Sequence, residues 1–169
     1  MIIVPFTVEF DGYELDIPAD ENAVKEFLVK SDLYKKSFED EYASLLEVPI
    51  KFSEISVAYG VELLMADNAI TVEELNEIYY SLSDWDSENA LFAAVEYFGA
   101  KYVSNHTESE FQFYDVKDEY DLGEEIANEY YQIEGSLSSY IDYESLGQDY
   151  LNEHNGGMTS YGVIIHKDY

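Results

Sequence analysis

The feature that most constrains this chain is the combination of an extreme negative charge with many large aromatic side chains. It has 37 acidic residues against 8 basic ones, together with 17 tyrosines and 9 phenylalanines. Acidic chains that remain disordered are poor in aromatic residues, because they cannot bury enough apolar surface to offset the loss of chain entropy. This chain is therefore predicted to fold, with its carboxylates on the surface.

The rest of the composition narrows the class of protein. A length of 169 residues allows one ordinary domain or two to three small ones. Cysteine is absent, which excludes disulfides, a thiol nucleophile and a thiolate metal site. The opening residues lack the pattern of a secretory signal, and no stretch approaches the ~20 apolar residues of a membrane span. We expect a soluble, cytoplasmic protein.

The basic residues are unevenly distributed, whereas the acidic residues are spread along the chain. All eight basic residues are lysines, and five of them lie before Phe52. From Phe52 onward there are 25 acidic residues against 3 lysines, a net charge of −22. Such a charge argues against nucleic acid or an anionic membrane as a partner. It favours a strongly basic protein surface.

Local patterns in the first part of the chain indicate strands and a helix. A turn signal at Asp11-Gly12 separates two alternating segments and predicts a β-hairpin over residues 2–17. Asp20 can cap the helix that follows it. Residues 34–68 are ambiguous, with Tyr42–Ile50 as the best strand candidate. This part therefore resembles a small α/β unit.

Two helices are predicted in the middle of the chain. Thr71-Val72-Glu73-Glu74 has the pattern of a capping box, which marks the start of an amphipathic helix. Asp84 or Asp86 is expected to begin the next helix, which Gly99 ends. This segment has no strand pattern and is predicted to be helical.

The last part of the chain again mixes strands with helices. Glu110–Tyr114 alternates as a strand does, and helices are predicted at 118–132 and 142–153. A hairpin ending in Val163–His166 follows. The predicted fold class is α+β, as three small domains: residues 1–68 (α/β with a short antiparallel sheet), 69–104 (helical) and 105–169 (α/β with a short antiparallel sheet).

Carboxylates are regularly spaced on the helix predicted at 118–132. Steps of three, four and four residues join Asp118, Asp121, Glu125 and Glu129. Such spacing makes a ridge of charges roughly 5–6 Å apart. B-DNA carries one charge per about 1.7 Å of axis with both strands counted. Two or three such ridges on a rigid body would approach that density.

Twelve carboxylates are therefore candidates for phosphate mimicry. Seven belong to the ridge or flank it: Asp115, Asp118, Asp121, Glu124, Glu125, Glu129 and Glu134. Five others are expected to extend this line of charges: Glu73, Glu77, Asp84, Asp86 and Glu88. Two carboxylates ~6 Å apart repel by about 0.7 kcal/mol in bulk water, so stability alone would not favour this surface. Simple solvation of acidic faces, or adaptation to high salt, is the alternative interpretation.

The segment Ser139–Asp149 resembles a known motif. Its sequence S-Y-I-D-Y-E-S-L-G-Q-D is similar to the N-Y-I-D-Y-x-x-Y-G-R-D segment of the ArdA antirestriction proteins of mobile genetic elements. Gln148 stands where the family has arginine, which removes a positive charge. The acidic helix before this segment, residues 74–78 and Gly162 also resemble the family. The resemblance covers residues 70–169.

The resemblance implies a fold and a function. The fold would be an elongated chain of three small domains, forming a homodimer through the C-terminal domain. A curved surface of carboxylates would follow the shape of bent B-form DNA. It would occupy the DNA-binding groove of type I restriction-modification enzymes, with no catalysis and no cofactor.

Two other functions remain open from the sequence. The first is an acidic adaptor that binds another basic, nucleic-acid-binding protein. The second is an enzyme such as a carboxylate-based hydrolase, which needs a deep pocket holding a carboxyl group of raised pKa. No metal site is expected, because His106, His154 and His166 are far apart in the sequence and lack metal-ligand spacing. No EF-hand loop is found either.

Overall fold

A computed structural model describes residues 1–58, 69–133 and 135–167, and the backbone of residues 60–62. Packing divides the chain into two compact units. The N-terminal unit consists of Met1–Asp86 and Ala100–Asn105, and the C-terminal unit of Ser87–Gly99 and His106–Tyr169. None of the helices in the described ranges has both the length and the apolar character that crossing a membrane requires.

The N-terminal unit is built on a four-stranded antiparallel sheet of order β2-β1-β3-β4. Its strands are β1 (Phe6–Phe10), β2 (Tyr13–Asp16), β3 (Glu54–Val57) and β4 (Gly60–Glu62). The predicted hairpin is confirmed, since β1 pairs with β2 across the turn at Asp11 and Gly12. Both turn residues have positive φ, 50° and 83°, which glycine and aspartate tolerate better than most residues.

Two α-helices lie between β2 and β3 in the N-terminal unit. Helix α1 (Glu21–Lys30) begins where predicted, because the Asp20 carboxylate accepts a hydrogen bond of 2.8 Å from the Ala23 backbone N–H. It buries an apolar stripe that includes Phe27 and Leu28. A single turn, α2 (Phe38–Glu41), lies between α1 and β3 and buries none of its side chains.

The strand predicted at Tyr42–Ile50 is wrong. Leu45–Glu47 form a 3-10 turn instead, and Ile50 pairs with Ile70 only as an isolated bridge. Pro49 lies between the turn and the bridge, and its missing N–H cannot contribute to a ladder. The apolar residues of this segment are buried by packing rather than by strand pairing.

Helix α3 (Val72–Ser83) belongs to the N-terminal unit and begins with the predicted capping box. The Glu74 N–H donates to the Thr71 hydroxyl at 3.2 Å, and the Thr71 N–H donates to the Glu74 carboxylate at 3.1 Å. Asn76 connects α3 to the segment before α1, because its side-chain amide bonds both the N–H and the carbonyl of Ala19 at 2.9 Å. The helix is therefore fixed at its start and near its centre.

Helix α4 (Glu88–Phe98) begins later than the sequence suggested, since its cap lies one residue after Asp86 and three after Asp84. Ser87 is its N-cap, with its hydroxyl accepting a hydrogen bond of 3.3 Å from the Ala90 N–H. The prediction that Asp84 or Asp86 starts this helix is wrong. Asp84 is the residue at which α3 ends.

The predicted middle domain is divided between the two units. Helix α3 packs in the N-terminal unit, α4 packs in the C-terminal unit, and the short α5 (Ala100–Val103) returns to pack on α3. The mixed α and β class is confirmed, but the three-domain arrangement is not. The boundaries at 1–68, 69–104 and 105–169 remain a prediction.

The C-terminal unit contains a three-stranded antiparallel sheet of order β5-β7-β6. Its strands are β5 (Phe111–Tyr114), β6 (Asn155–Thr159) and β7 (Gly162–His166), so the predicted C-terminal hairpin is confirmed. The two helices between β5 and β6 are also confirmed, with small changes in length. They are α6 (Glu119–Ile126), which continues as a π-helical turn over Ala127–Tyr131, and α7 (Tyr143–Glu153).

The sheet of the C-terminal unit is covered on both faces. Val163 and Ile165 of β7 pack with Leu122 and Ile126 of α6. Since side chains alternate along a strand, Ile164 points to the opposite face, where α4 packs. All three β7 residues are at most 2% exposed. Helix α6 thus lies on the face of the sheet opposite α4.

Candidate acidic interface

The acidic helix α6 begins at one of the candidate residues. Asp118 has extended backbone angles (φ −152°, ψ 178°), and its carboxylate accepts a hydrogen bond of 2.9 Å from the Asp121 N–H. A carboxylate here also interacts favourably with the helix dipole. Asp118 therefore has a structural role as the N-cap, besides adding charge to the surface.

The buried face of α6 determines which carboxylates point outward. Leu122 and Ile126 are in the core, so Glu124 and Glu125 are exposed and Asp121 is half-buried. Glu129 is exposed in the π-helical turn. A π-helix has a wider turn than an α-helix, so the step of four residues from Glu125 remains about one turn. The charged ridge thus continues past the end of α6.

Two glycines bring α6 and α7 into backbone contact. A β-carbon on Gly123 would overlap the carbonyl oxygen of Tyr143, and one on Gly147 would overlap the carbonyl oxygen of Glu119. The rings of Tyr120 and Tyr143 meet edge to face beside this contact, with centroids 5.3 Å apart. This close packing holds the acidic helix at a fixed position on α7.

Two further described candidates belong to the C-terminal unit. Asp115 directly follows β5 and is exposed. Glu88 is exposed in the first turn of α4. Glu134 lies outside the described residues.

Acidic residues on α7 were missed by the sequence analysis. Glu144, Asp149 and Glu153 are exposed on the helix that packs against α6. The predicted helix at 142–153 contained the signal, because Asp149 and Glu153 are one turn apart on it and both carry charge. The acidic surface of the C-terminal unit therefore includes two packed helices.

The remaining candidates lie in the N-terminal unit. Glu73 and Glu77 are one turn apart on α3, and both are exposed. Asp84 and Asp86 are exposed on either side of the buried Trp85. Asp84 ends α3, where the helix dipole disfavours a carboxylate, and the last turn of α3 has no basic residue. The charge of Asp84 therefore lowers the stability of α3.

Lysines neutralise little of the acidic surface of the C-terminal unit. The ion pairs Lys25–Glu39 (3.3 Å) and Lys30–Glu26 (2.7 Å) both lie in the N-terminal unit. Within the described part of the C-terminal unit, neither Lys117 nor Lys167 forms an ion pair with a carboxylate. The carboxylates of α6 and α7 are thus available to cations and hydrogen-bond donors of a partner.

Fold and surface together define a small acidic α+β protein that holds exposed carboxylates on packed helices. A family model described as antirestriction protein (ArdA) matches residues 9–165. Since this match covers nearly the whole chain, the chain belongs to the ArdA family of antirestriction proteins. The match extends well before residue 70 and so includes most of the N-terminal unit. A comparison with curated proteins gives no match.

Proposed function

We propose that this antirestriction protein is a DNA mimic that occupies the DNA-binding groove of a type I restriction-modification enzyme. The observation that carries the proposal is the row of solvent-facing carboxylates on α6, a helix fixed against α7 and the sheet. The twelve candidate carboxylates would take the positions of phosphates. Lysine and arginine side chains that normally bind the DNA backbone would bind them instead.

The spacing of the carboxylates supports this mechanism. Carboxylates one helical turn apart lie roughly 5–6 Å from each other, and duplex DNA carries one phosphate per about 3.4 Å along each strand. Asp149 and Glu153, one turn apart on α7, and Glu144 in its first turn add further exposed charge to the same unit. Backbone contacts carry little sequence information. One mimic could therefore block enzymes that recognise different DNA sequences.

The proposed function includes a homodimer formed through the C-terminal unit. Large apolar side chains are exposed in the π-helical turn after α6 and in the 3-10 helix of Gly135–Tyr140. They are Tyr130, Tyr131, Leu137 and Tyr140, between 55% and 85% exposed. Exposed apolar side chains near one another in the sequence are typical of a protein interface. A dimer would double the length of the acidic surface.

The direct test removes charge from the ridge and measures inhibition. In the variant Asp121→Asn, Glu124→Gln, Glu125→Gln, Glu129→Gln, binding to a purified type I methyltransferase should weaken by about tenfold or more, because charged interface contacts are lost together. Asp118 is left intact because it caps α6. Inhibition of DNA cleavage should fall in parallel.

A matched control removes the same charge from another surface. Glu14→Gln, Asp16→Asn, Asp40→Asn and Glu41→Gln change four exposed carboxylates of the N-terminal unit that are outside the candidate set. This variant should bind the enzyme nearly as well as the unmodified protein. Equal weakening by both variants would mean that only net charge matters, and unchanged binding by the ridge variant would contradict the proposal.

Competition with DNA distinguishes a DNA mimic from an acidic adaptor. Duplex DNA that contains the recognition site should displace the protein from the methyltransferase, and binding should weaken steeply as salt rises. An adaptor that binds outside the groove would remain bound at saturating DNA. That result would favour the second function, an adaptor for a basic nucleic-acid-binding protein.

A further inference from the structure

Two histidines that are far apart in the sequence meet at one end of the sheet in the C-terminal unit. Phe111 is paired with His166 where β5 begins and β7 ends, and the Lys167 N–H extends the ladder by donating to the Glu110 carbonyl at 2.8 Å. His106 lies just before the 3-10 turn of Glu108–Glu110 that leads into β5. The pairing of β5 with β7 therefore brings His106, Glu110 and His166 together.

The three side chains offer ligand atoms at close range. One nitrogen from each histidine and one Glu110 carboxylate oxygen all lie within 4.8 Å of one another. The imidazole rings of His106 and His166 have centroids 4.7 Å apart, at an interplanar angle of 72°. A tetrahedral ion with ligands at about 2.0–2.2 Å needs donor atoms roughly 3.4 Å apart. Small side-chain rotations would bring the three donors to that separation.

The surroundings hold two of these side chains in place. The His166 ring stacks on Phe111 with centroids 4.8 Å apart and lies 6.2 Å from the Phe98 ring. The Glu110 carboxylate accepts hydrogen bonds from the Thr107 N–H at 2.6 Å and from the Thr107 hydroxyl at 3.1 Å. Hydrogen bonds of this kind orient the ligands of metal sites.

We propose that His106, Glu110 and His166 bind one divalent transition-metal ion, with zinc as the expected ion. Two imidazoles and one carboxylate suit zinc, whereas magnesium and calcium prefer oxygen ligands alone. All three residues are half-buried, so a fourth coordination position can be filled from solvent. The ion would connect the turn at 107–110 to the end of β7.

The site is separate from the acidic ridge of α6. Phe111 and His166 contact Phe98 of α4, so they face the side of the sheet that α4 covers. Helix α6 packs on the other face. Asp115, the nearest candidate carboxylate in the sequence, follows the far end of β5, five residues after Glu110 and so roughly 16 Å along the extended chain. Loss of the metal should therefore leave the charge of the acidic ridge unchanged.

The test titrates zinc chloride into the full chain in a calorimeter, with excess magnesium to occupy weak carboxylate sites. The expected result is one equivalent of zinc bound, with binding weakened by about tenfold or more in each of His106→Asn, Glu110→Gln and His166→Asn. The control is His154→Asn, which changes the third histidine, next to the end of α7, and should bind zinc as the unmodified chain does. Cobalt(II), used as a spectroscopic probe, should give the absorption of a tetrahedral site.

Circular dichroism identifies any variant that fails to fold. The remaining ligand variants then test the proposed zinc site. Full zinc affinity in a folded His106→Asn or Glu110→Gln variant would overturn the proposal. Equal loss in His154→Asn would also overturn it, because this result would mean dispersed binding by surface groups. The absence of stoichiometric binding to the unmodified chain would do the same. None of these results depends on inhibition of a restriction enzyme.

Discussion

Gly123 and Gly147 occupy equivalent positions in a two-way contact between helices. The α-carbon of Gly123 lies against the carbonyl of Tyr143 in α7, and that of Gly147 lies against the carbonyl of Glu119 in α6. Each helix thus needs a residue without a β-carbon where the other begins. The contact explains in physical terms why the motif at 139–149 contains a glycine in the middle of a helix, where glycine normally costs stability.

The first prediction is that alanine at either glycine destabilises the C-terminal unit. Alanine favours a helix by about 1 kcal/mol over glycine, but the clash here is with backbone that cannot rotate away. Overpacking typically costs about 1–3 kcal/mol, and a clash with rigid backbone falls in the upper part of that range, so we expect a net loss of about 1–2 kcal/mol for Gly123→Ala or Gly147→Ala. Urea unfolding followed by circular dichroism measures it. The neighbouring Gln148→Ala, at an exposed position, should be neutral or slightly stabilising; a stable Gly147→Ala would contradict the close contact.

The second prediction separates the capping role of Asp118 from its charge. The Asp118→Asn variant keeps a side-chain oxygen that can accept from the Asp121 N–H, whereas the Asp118→Ala variant has none. Asp118→Ala should therefore lower the free energy of unfolding by about 1 kcal/mol, and Asp118→Asn should change it little. Thermal unfolding of both variants gives the comparison. If the two variants lose equal stability, charge rather than capping is what matters at this position.

Local sequence signals predicted the parts of the fold that depend on neighbours in the chain. The caps at Asp20 and Thr71 were predicted because each bond joins residues three apart. The strand at Tyr42–Ile50 was wrong because burial by tertiary packing produces the same apolar composition as a strand. The outward-facing acidic ridge of α6 followed from helical periodicity alone.

Features that depend on distant parts of the chain were not predictable in the same way. His106 and His166 meet only because β5 pairs with β7, a register that no local pattern specifies. The contact of Gly123 with α7 depends on how two helices cross. The search for metal-ligand spacing in the sequence therefore could not find this group of side chains, which only the fold brings together.

The third prediction concerns the stability of the ridge variant with Asp121→Asn, Glu124→Gln, Glu125→Gln and Glu129→Gln. These side chains repel one another, and no lysine of the described C-terminal unit is ion-paired to them. The variant should be at least as stable as the unmodified protein at low salt, although its inhibitory activity falls. The difference in stability should shrink as salt rises. Lower stability would mean that these carboxylates support the fold, and the loss of inhibition could then be an effect of unfolding.

The fourth prediction uses the cap of α7. The Ser145 backbone N–H donates to the Asp142 carboxylate at 3.1 Å, and this bond lowers the pKa of Asp142. A carboxyl group with a depressed folded-state pKa stabilises the fold above its unfolded pKa, about 3.9, and this contribution disappears as the pH falls through the lower, folded value. Unlike Asp118, Asp142 also accepts a hydrogen bond of 2.8 Å from the Ser145 hydroxyl on its second oxygen, which asparagine lacks. Asp142→Asn should therefore be less stable than the unmodified protein at neutral pH, and the difference should narrow below about pH 4. The stability of the two proteins is measured over the same range of acid pH. The difference between them cancels the effect of the carboxylates that both proteins share. A difference that stays constant with pH would contradict an ionic cap.

The fifth prediction tests the proposed dimer through the exposed apolar residues that follow α6. Leu137 and Tyr140 are 65% and 85% exposed in the 3-10 helix at Gly135–Tyr140. If this segment forms the interface, Leu137→Ser with Tyr140→Ser should shift the protein from dimer to monomer in sedimentation equilibrium, because buried apolar area drives association. Tyr80→Ser is the control, since Tyr80 is 56% exposed but lies on α3 of the N-terminal unit. A further outcome is a double variant that is monomeric and still binds the methyltransferase, but more weakly. This result would mean that the dimer extends the acidic surface and that each monomer already carries a working part of it. A double variant that remains dimeric would exclude this segment as the interface.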